Sequence, residues 1–245
     1  MPDVALRAEG VVKRFGEIVA LDGVSVEVRR GQCLALIGES GSGKTTLLRC
    51  FNRLTDPDRG RIVVDGADVA TIDPIALRRR VGYVPQDGGL LPHWPVRRNV
   101  ELVPWLRGMS DAGARANRAL ELVGLDSTQF GGRRPRDLSG GQRQGVAVAR
   151  ALAAGPDLIL LNEKFGAIDA ITRAELQDGF RELRARLAVT AVLVTHDLQE
   201  AFHLADLIAV IRQGRVEQVG TPHELLDSPA TPYVADLLSR ARVRE

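Results

Sequence analysis

Residues 38–45, Gly38-Glu-Ser-Gly-Ser-Gly-Lys44-Thr45, constrain this chain more than any other stretch. They match G-x-x-x-x-G-K-[ST] at every fixed position, the pattern of a phosphate-binding loop. An apolar run, Leu34-Ala-Leu-Ile37, leads in, and Thr46-Leu-Leu-Arg-Cys-Phe51 continues with helical character. Gly38, Gly41 and Gly43 let the backbone curl, so that the N–H groups of Glu39, Ser40, Ser42 and their neighbours turn inward toward phosphate oxygens. The N-terminus of the helix that follows, from Thr46, adds the positive end of its dipole. Lys44 supplies a point charge to the β- and γ-phosphates, and Thr45 offers a hydroxyl to Mg²⁺. The strand–loop–helix context predicts a nucleoside triphosphate as ligand. Of 33 basic residues only Lys13, Lys44 and Lys164 are lysine, so the lysine at 44 stands against a strong arginine bias.

The rest of the chain fits an α/β fold. Around Gly10, Gly16 and Gly23, residues 4–30 alternate apolar and polar as antiparallel strands do, and Arg61-Ile-Val-Val closed by Asp65-Gly66 reads as another strand. Leu34–Ile37, Leu158–Leu161 and Ala191–Thr195 are instead continuous apolar runs, as in parallel strands buried on both faces. Each precedes a polar cluster, which places the chemistry beyond the carboxyl ends of those strands. Between Gln86 and Ser139 the pattern turns helical, with Ala112–Leu122 ended by Gly124. Ile171–Leu187 is amphipathic, with Ile171, Leu176, Phe180, Leu183 and Leu187 near one face. A strand, a Gln213-Gly214 turn and a strand span Leu207–Val219, and a short helix, Tyr233–Leu238, follows.

Composition removes other classes. A net charge of +2 is too balanced to point to nucleic acid. Cys33 and Cys50 have no metal or redox spacing and suit a reducing compartment. The first residues show no secretory signal pattern, and no apolar run nears the ~18 residues of a membrane helix. Action at a membrane is therefore expected through a partner.

Leu138-Ser-Gly-Gly-Gln142 narrows the phosphate-loop class. Ser139 stands as an N-cap before an Ala-rich helix. It falls between the phosphate loop and a second strand ending in Asn162-Glu163. The combination resembles the signature motif of ABC ATPases, and the resemblance covers nearly the whole chain. It implies one cassette: a P-loop core with a parallel sheet flanked by helices and an N-terminal antiparallel β subdomain (about 1–85 and 156–245), and an inserted α-helical subdomain (about 86–155).

On that resemblance Phe15 stacks on adenine, the alternative being a core position in the antiparallel sheet. Gln86 is similar to the glutamine that reaches Mg²⁺ and the attacking water and senses the membrane partner. Glu163 resembles the base that orients water for attack on the γ-phosphate, and His196 the switch histidine on that phosphate. Asp169 matches the loop that contacts the other protomer. Ser139, Gly140, Gly141 and Gln142 would serve the ATP held by the opposite subunit, so two chains facing head to tail complete two sites. A homodimer or a paired ABC ATPase, a multi-span permease, an extracytoplasmic solute-binding protein and a place on the cytoplasmic face of the inner membrane are implied.

Two positions depart from the pattern. The family has Asp, Glu and Pro after the second strand, whereas this chain has Asn162, Glu163 and Lys164. Asn162 keeps a metal-facing oxygen but loses its charge, and Lys164 adds a positive charge nearby. Weakened Mg²⁺ binding and slowed hydrolysis with ATP binding retained are expected; a regulatory subunit that scarcely hydrolyses is the alternative. Phe51-Asn-Arg-Leu, Gly89-Leu-Leu-Pro-His93 and Asp169-Ala-Ile-Thr-Arg173 resemble importers of quaternary amines such as glycine betaine, carnitine and choline. Importers of amino acids or sulfonates, and soluble ABC ATPases of repair, translation or cofactor assembly, remain alternatives. The CBS-domain tail that members of that group often carry has no room before Glu245, and no osmotic sensing is expected here. Trp94, Leu102 and Trp105 either line a groove for a short permease helix or pack as core. Arg78–Arg80 and Arg133-Arg134 read as solvated faces, the alternative being a face toward the channel or lipid head groups.

Overall fold

A computed structural model describes residues 3–162 and 170–242. In chain order the elements are β1 (Val4–Phe15), β2 (Ile18–Arg29), β3 (Cys33–Ile37), α1 (Lys44–Phe51), β4 (Arg59–Val64), β5 (Ala67–Asp68), α2 (Pro74–Arg80) and β6 (Gly82–Val84). A helical stretch follows: α3 (Val96–Leu106), α4 (Ala112–Leu122), α5 (Ser127–Phe130) and α6 (Gly140–Leu152). The remainder is β7 (Leu158–Asn162), α7 (Ala170–Leu187), β8 (Thr190–Val194), α8 (Leu198–Leu204), β9 (Leu207–Arg212), β10 (Arg215–Gly220), α9 (Pro222–Asp227) and α10 (Pro232–Arg242). Packing divides the chain into two compact units, Met1–Leu77 with Thr190–Glu245, and Arg78–Val189.

The first unit holds an antiparallel sheet in the order β2-β1-β4-β5. Val24, Val26 and Val28 of β2 turn inward while Ser25, Glu27 and Arg29 stay exposed, the period-2 pattern of a sheet with one wet face. In the same unit β3 lies between β8 and β9, parallel to both, and β10 returns antiparallel on β9. All five residues of β3 and of β8 are buried, which is why both read as unbroken apolar runs. Ile37, Ile208 and Val210 pack with Ala201, Leu225, Val234 and Leu238 from α8, α9 and α10.

In the second unit β6 and β7 pair in parallel, Gly82 opposite Ile159 and Val84 opposite Leu161. Its helices close around Val96, Val100, Leu120, Val146 and Ala149. The Ala-rich face of α6 allows that close approach, and Gly145 packs against Leu125 and Val123. Two helices differ from the sequence reading. On α7 Phe180 and Leu183 are buried but Leu187 is 44% exposed, because the helix stops there and Ala188 turns to φ 51°. At the end of the chain α10 runs to Arg242, carried past Leu238 by Arg and Ala, which favour helix without needing burial. Among the described residues no helix is long and apolar enough to cross a membrane.

Candidate functional site

In the first unit two strand ends converge. Parallel neighbours β3 and β8 finish together, Leu36 opposite Val194, and the Thr195 N–H donates to the Leu36 carbonyl at 3.3 Å. The glycine-rich loop leaves β3 and the exposed His196 leaves β8 at the same sheet edge. Asp197 then caps α8, accepting from the Gln199 and Glu200 N–H groups. Behind it the buried Glu200 carboxyl accepts from Thr195 Oγ1 at 2.6 Å, which anchors the strand end that presents His196.

The loop is shaped from outside by distant segments. A Cβ at Gly38 (φ 142°) would overlap the Ile211 carbonyl of β9, and one at Gly43 (φ 106°) would overlap the Ala20 carbonyl of β2. The Gly214 N–H of the β9–β10 turn donates to the Ser42 carbonyl at 2.9 Å. Lys44 is only 5% exposed, and its ammonium donates to the carbonyls of Gly38 (2.8 Å) and Glu39 (2.7 Å) and to Ser42 Oγ (3.3 Å). The loop therefore wraps its own cation. α1 begins at left-handed Gly43 with no side-chain cap and no acidic residue in its first turn, so nothing in that turn offsets the positive end of its dipole, which favours an anion. Thr45 and Thr46 sit in that first turn.

Phe15 ends β1, pairs with Ile18 across the Gly16-Glu17 turn, and is 51% exposed. Of its two readings the core one fails, since about half of the residue is open to solvent. Lys13 Nζ stands 5.5 Å from the ring centroid and is held by Asp58, whose carboxyl that hydrogen bond keeps below the usual range.

The second unit carries the other candidates. Ser139 caps α6 in a reciprocal box: its hydroxyl accepts from the Gln142 N–H (3.2 Å), and Gln142 Oε1 accepts from the Ser139 N–H (3.0 Å). The hydroxyl hydrogen of Ser139 stays available to a phosphate, because a hydroxyl both accepts and donates. Gly140 and Gly141 form the first turn with it. Exposed Gln86 follows β6, and Asn162 closes β7 at 3% exposure. Glu163, Lys164 and Asp169 lie outside the described residues. Trp94, Arg98, Glu101, Leu102 and Trp105 line a groove of about 550 Å³, with Trp105 66% exposed, which excludes core packing for that tryptophan.

The sequence reading passed over two residues. Asn99, fully buried, accepts from the Leu91 N–H at 2.7 Å and donates to the carbonyls of Leu91, Trp94 and Pro95, so it organises the loop before α3. Arg150, 9% exposed, holds the loop after Gln86 through two carbonyls. The signal in both cases was a polar residue on an otherwise apolar helix face.

Among the described residues no group of three or more His, Cys, Asp or Glu is placed to hold a metal. Thr45 in the first unit, and Gln86 and Asn162 in the second, each offer a neutral oxygen, a donor type that suits Mg²⁺ arriving with phosphates rather than a free-standing ion.

The ABC transporter family profile matches residues 21–166. The glycine betaine/carnitine/choline transport ATP-binding protein OpuCA of Bacillus subtilis is 43% identical over 241 residues, 97% of this chain and 63% of that protein. The sulfate/thiosulfate import ATP-binding protein CysA of Mycolicibacterium paratuberculosis is 44% identical over 238 residues, 96% of this chain and 65% of that one. The chain thus spans just under two thirds of the length of these relatives. The dimeric post-hydrolysis state of the ATP-binding cassette MJ0796 bound to ADP and Pi superposes with a TM-score of 0.79 at 30% identity, covering 88% of this chain and 98% of that one. With a loop that encloses its own lysine, a serine-capped signature helix and matches over most of the chain, this protein belongs to the ABC transporter family.

Proposed function

We propose that the chain is the ATP-binding and ATP-hydrolysing subunit of an ABC importer, acting as a pair of cassettes. The observation that carries this reading is the buried Lys44 inside a loop whose Gly38 and Gly43 admit no side chain, at a helix N-terminus without a side-chain cap. Gly38, Glu39, Ser40, Gly41, Ser42, Gly43, Lys44, Thr45 and Thr46 hold the phosphates and Phe15 the base. Ser139, Gly140, Gly141, Gln142 and Asp169 act on the nucleotide of the partner cassette. Thr45, Gln86 and Asn162 would hold Mg²⁺, which when bound neutralises phosphate charge. Glu163 orients the attacking water, with Gln86 and His196 completing the reacting end. The dimeric state of the structural relative supports the pairing.

On this reading the groove at Trp94, Leu102 and Trp105 receives a short helix of a multi-span permease, and the chain lies on the cytoplasmic face of the inner membrane with a solute-binding protein on the far side. A quaternary amine is the solute favoured by the OpuCA likeness, and the CysA likeness keeps sulfate-type importers as the other class. Neutral, buried Asn162 favours one second reading, a cassette that pairs on ATP but hydrolyses slowly. Phosphate release with and without Mg²⁺, beside ATP-dependent dimerisation by light scattering, tests both. Release that depends on Mg²⁺ and is lost in Lys44→Ala is expected; pairing without release selects the second reading, and no response to ATP removes both.

A further inference from the structure

From Gly145 to Leu152 every residue of α6 is buried, and Arg150 is the one charged residue among them. Its Nη1 donates to the Gly89 carbonyl at 2.6 Å and its Nη2 to the Gly88 carbonyl at 2.7 Å. Those carbonyls end a tight turn. The Gly88 N–H donates to the Pro85 carbonyl at 2.9 Å, so Gln86 and Asp87 occupy its two central positions. Gly88 (φ 76°) and Gly89 (φ 57°) both use left-handed backbone, and a Cβ at Gly89 would meet Pro85 at 2.8 Å and the Arg150 fork at 3.4 Å. The turn is folded closely onto the guanidinium. Burial lowers the pKa of Arg150 while the charge of Asp87 raises it, and a buried fork is retained only where its donors are met. On the other side of the turn, β6 also meets the end of α6: a Cβ at Gly82 would lie 2.9 Å from the Ala151 carbonyl. Both flanks of the Gln86 turn thus rest on the last turn of the helix that Ser139 caps, about 16 Å away at 1.5 Å per residue.

We propose that Arg150 is a positioning residue that clamps the Gln86 turn to the signature helix, so that Gln86 and Ser139 move as one body. The functional half of this statement rests on the reading that Gln86 serves the reacting phosphate. Engagement of the partner's nucleotide by Ser139 is then transmitted through α6 to the glutamine, without passing through the phosphate loop.

The test compares Arg150→Lys, which keeps the charge but loses the fork, with Arg150→Met, in the full-length paired protein. Amide exchange at Gly88 is expected to speed up about tenfold or more, with β6 protection and ATP affinity without metal unchanged. The kcat for MgATP should fall about tenfold, with KM within about twofold, because a displaced Gln86 affects the reacting state more than binding. Added to Gln86→Ala, either change should slow turnover no further. Wild-type exchange at Gly88, or losses that add to that of Gln86→Ala, overturns the proposal; if Arg150→Met fails to fold, Arg150→Lys carries the same readouts. Absence of hydrolysis in the parent chain would count against the functional reading alone, and the exchange result would still decide the clamp.

Discussion

Asn162→Asp exchanges a neutral amide for a carboxylate at a position only 3% exposed, at the end of a strand whose five residues are all buried. Two opposing magnitudes follow. Removing a carboxylate from water costs several kcal/mol after relaxation, so without metal the variant should be less stable by about 2–4 kcal/mol. For a chain of this size that is a fall of roughly 5–10 °C in Tm in EDTA. A dication held by this residue would recover several kcal/mol at an effective dielectric of ~20. Mg²⁺ with ATP should therefore raise the Tm of the variant by more than that of the parent. The Mg²⁺ concentration needed to support ATP-bound pairing should fall by about tenfold to a hundredfold. Thermal denaturation in EDTA, in ATP and in MgATP, with a Mg²⁺ titration of pairing, reads all of these. Turnover should rise further when Lys164→Pro is added. An unchanged Tm in EDTA together with an unchanged Mg²⁺ titration would refute the electrostatic reasoning, and turnover equal to the parent would refute slow hydrolysis.

Phe15→Ala should weaken ATP binding by about 1–3 kcal/mol, the worth of one base stacked on a ring, while leaving tripolyphosphate binding unchanged; calorimetry with both ligands distinguishes this from general damage. Ser139→Ala should lose about 1 kcal/mol of stability with its cap and abolish ATP-dependent pairing. Ser139→Asp should keep the cap and still fail to pair, because its charge repels phosphate; recovery of pairing in that variant would place the serine's role in the helix alone. Burial pushes the Cys50 thiol up to about 12. A raised folded-state pKa means stability is present below the unfolded value near 9 and lost between there and about 12, at up to about 1.4 kcal/mol per pH unit. Alkaline unfolding should flatten by one proton in Cys50→Ala, with iodoacetamide failing to label the native thiol at pH 8.

Much was legible locally. The phosphate loop, the all-buried strands β3 and β8, the Ala112–Leu122 helix and the Ser139 cap declare themselves because each depends on residues adjacent in the chain. A curled glycine backbone, a strand buried on both faces and a side chain accepting from the N–H three residues on all leave fixed spacings. Tertiary structure decided the rest. Whether Phe15 is core or available, and why Gly38 and Gly43 tolerate no methyl, depend on β1, β2 and β9 meeting residues tens to more than a hundred positions away. In the sequence reading nothing set Arg150 apart within an Ala-rich helix; in the fold its fork closes on Gly88 and Gly89, about sixty residues earlier. Spacing along a chain encodes what neighbouring residues can do. Which distant carbonyl a buried cation must satisfy is settled only when the chain packs, because water is excluded there and no other partner remains.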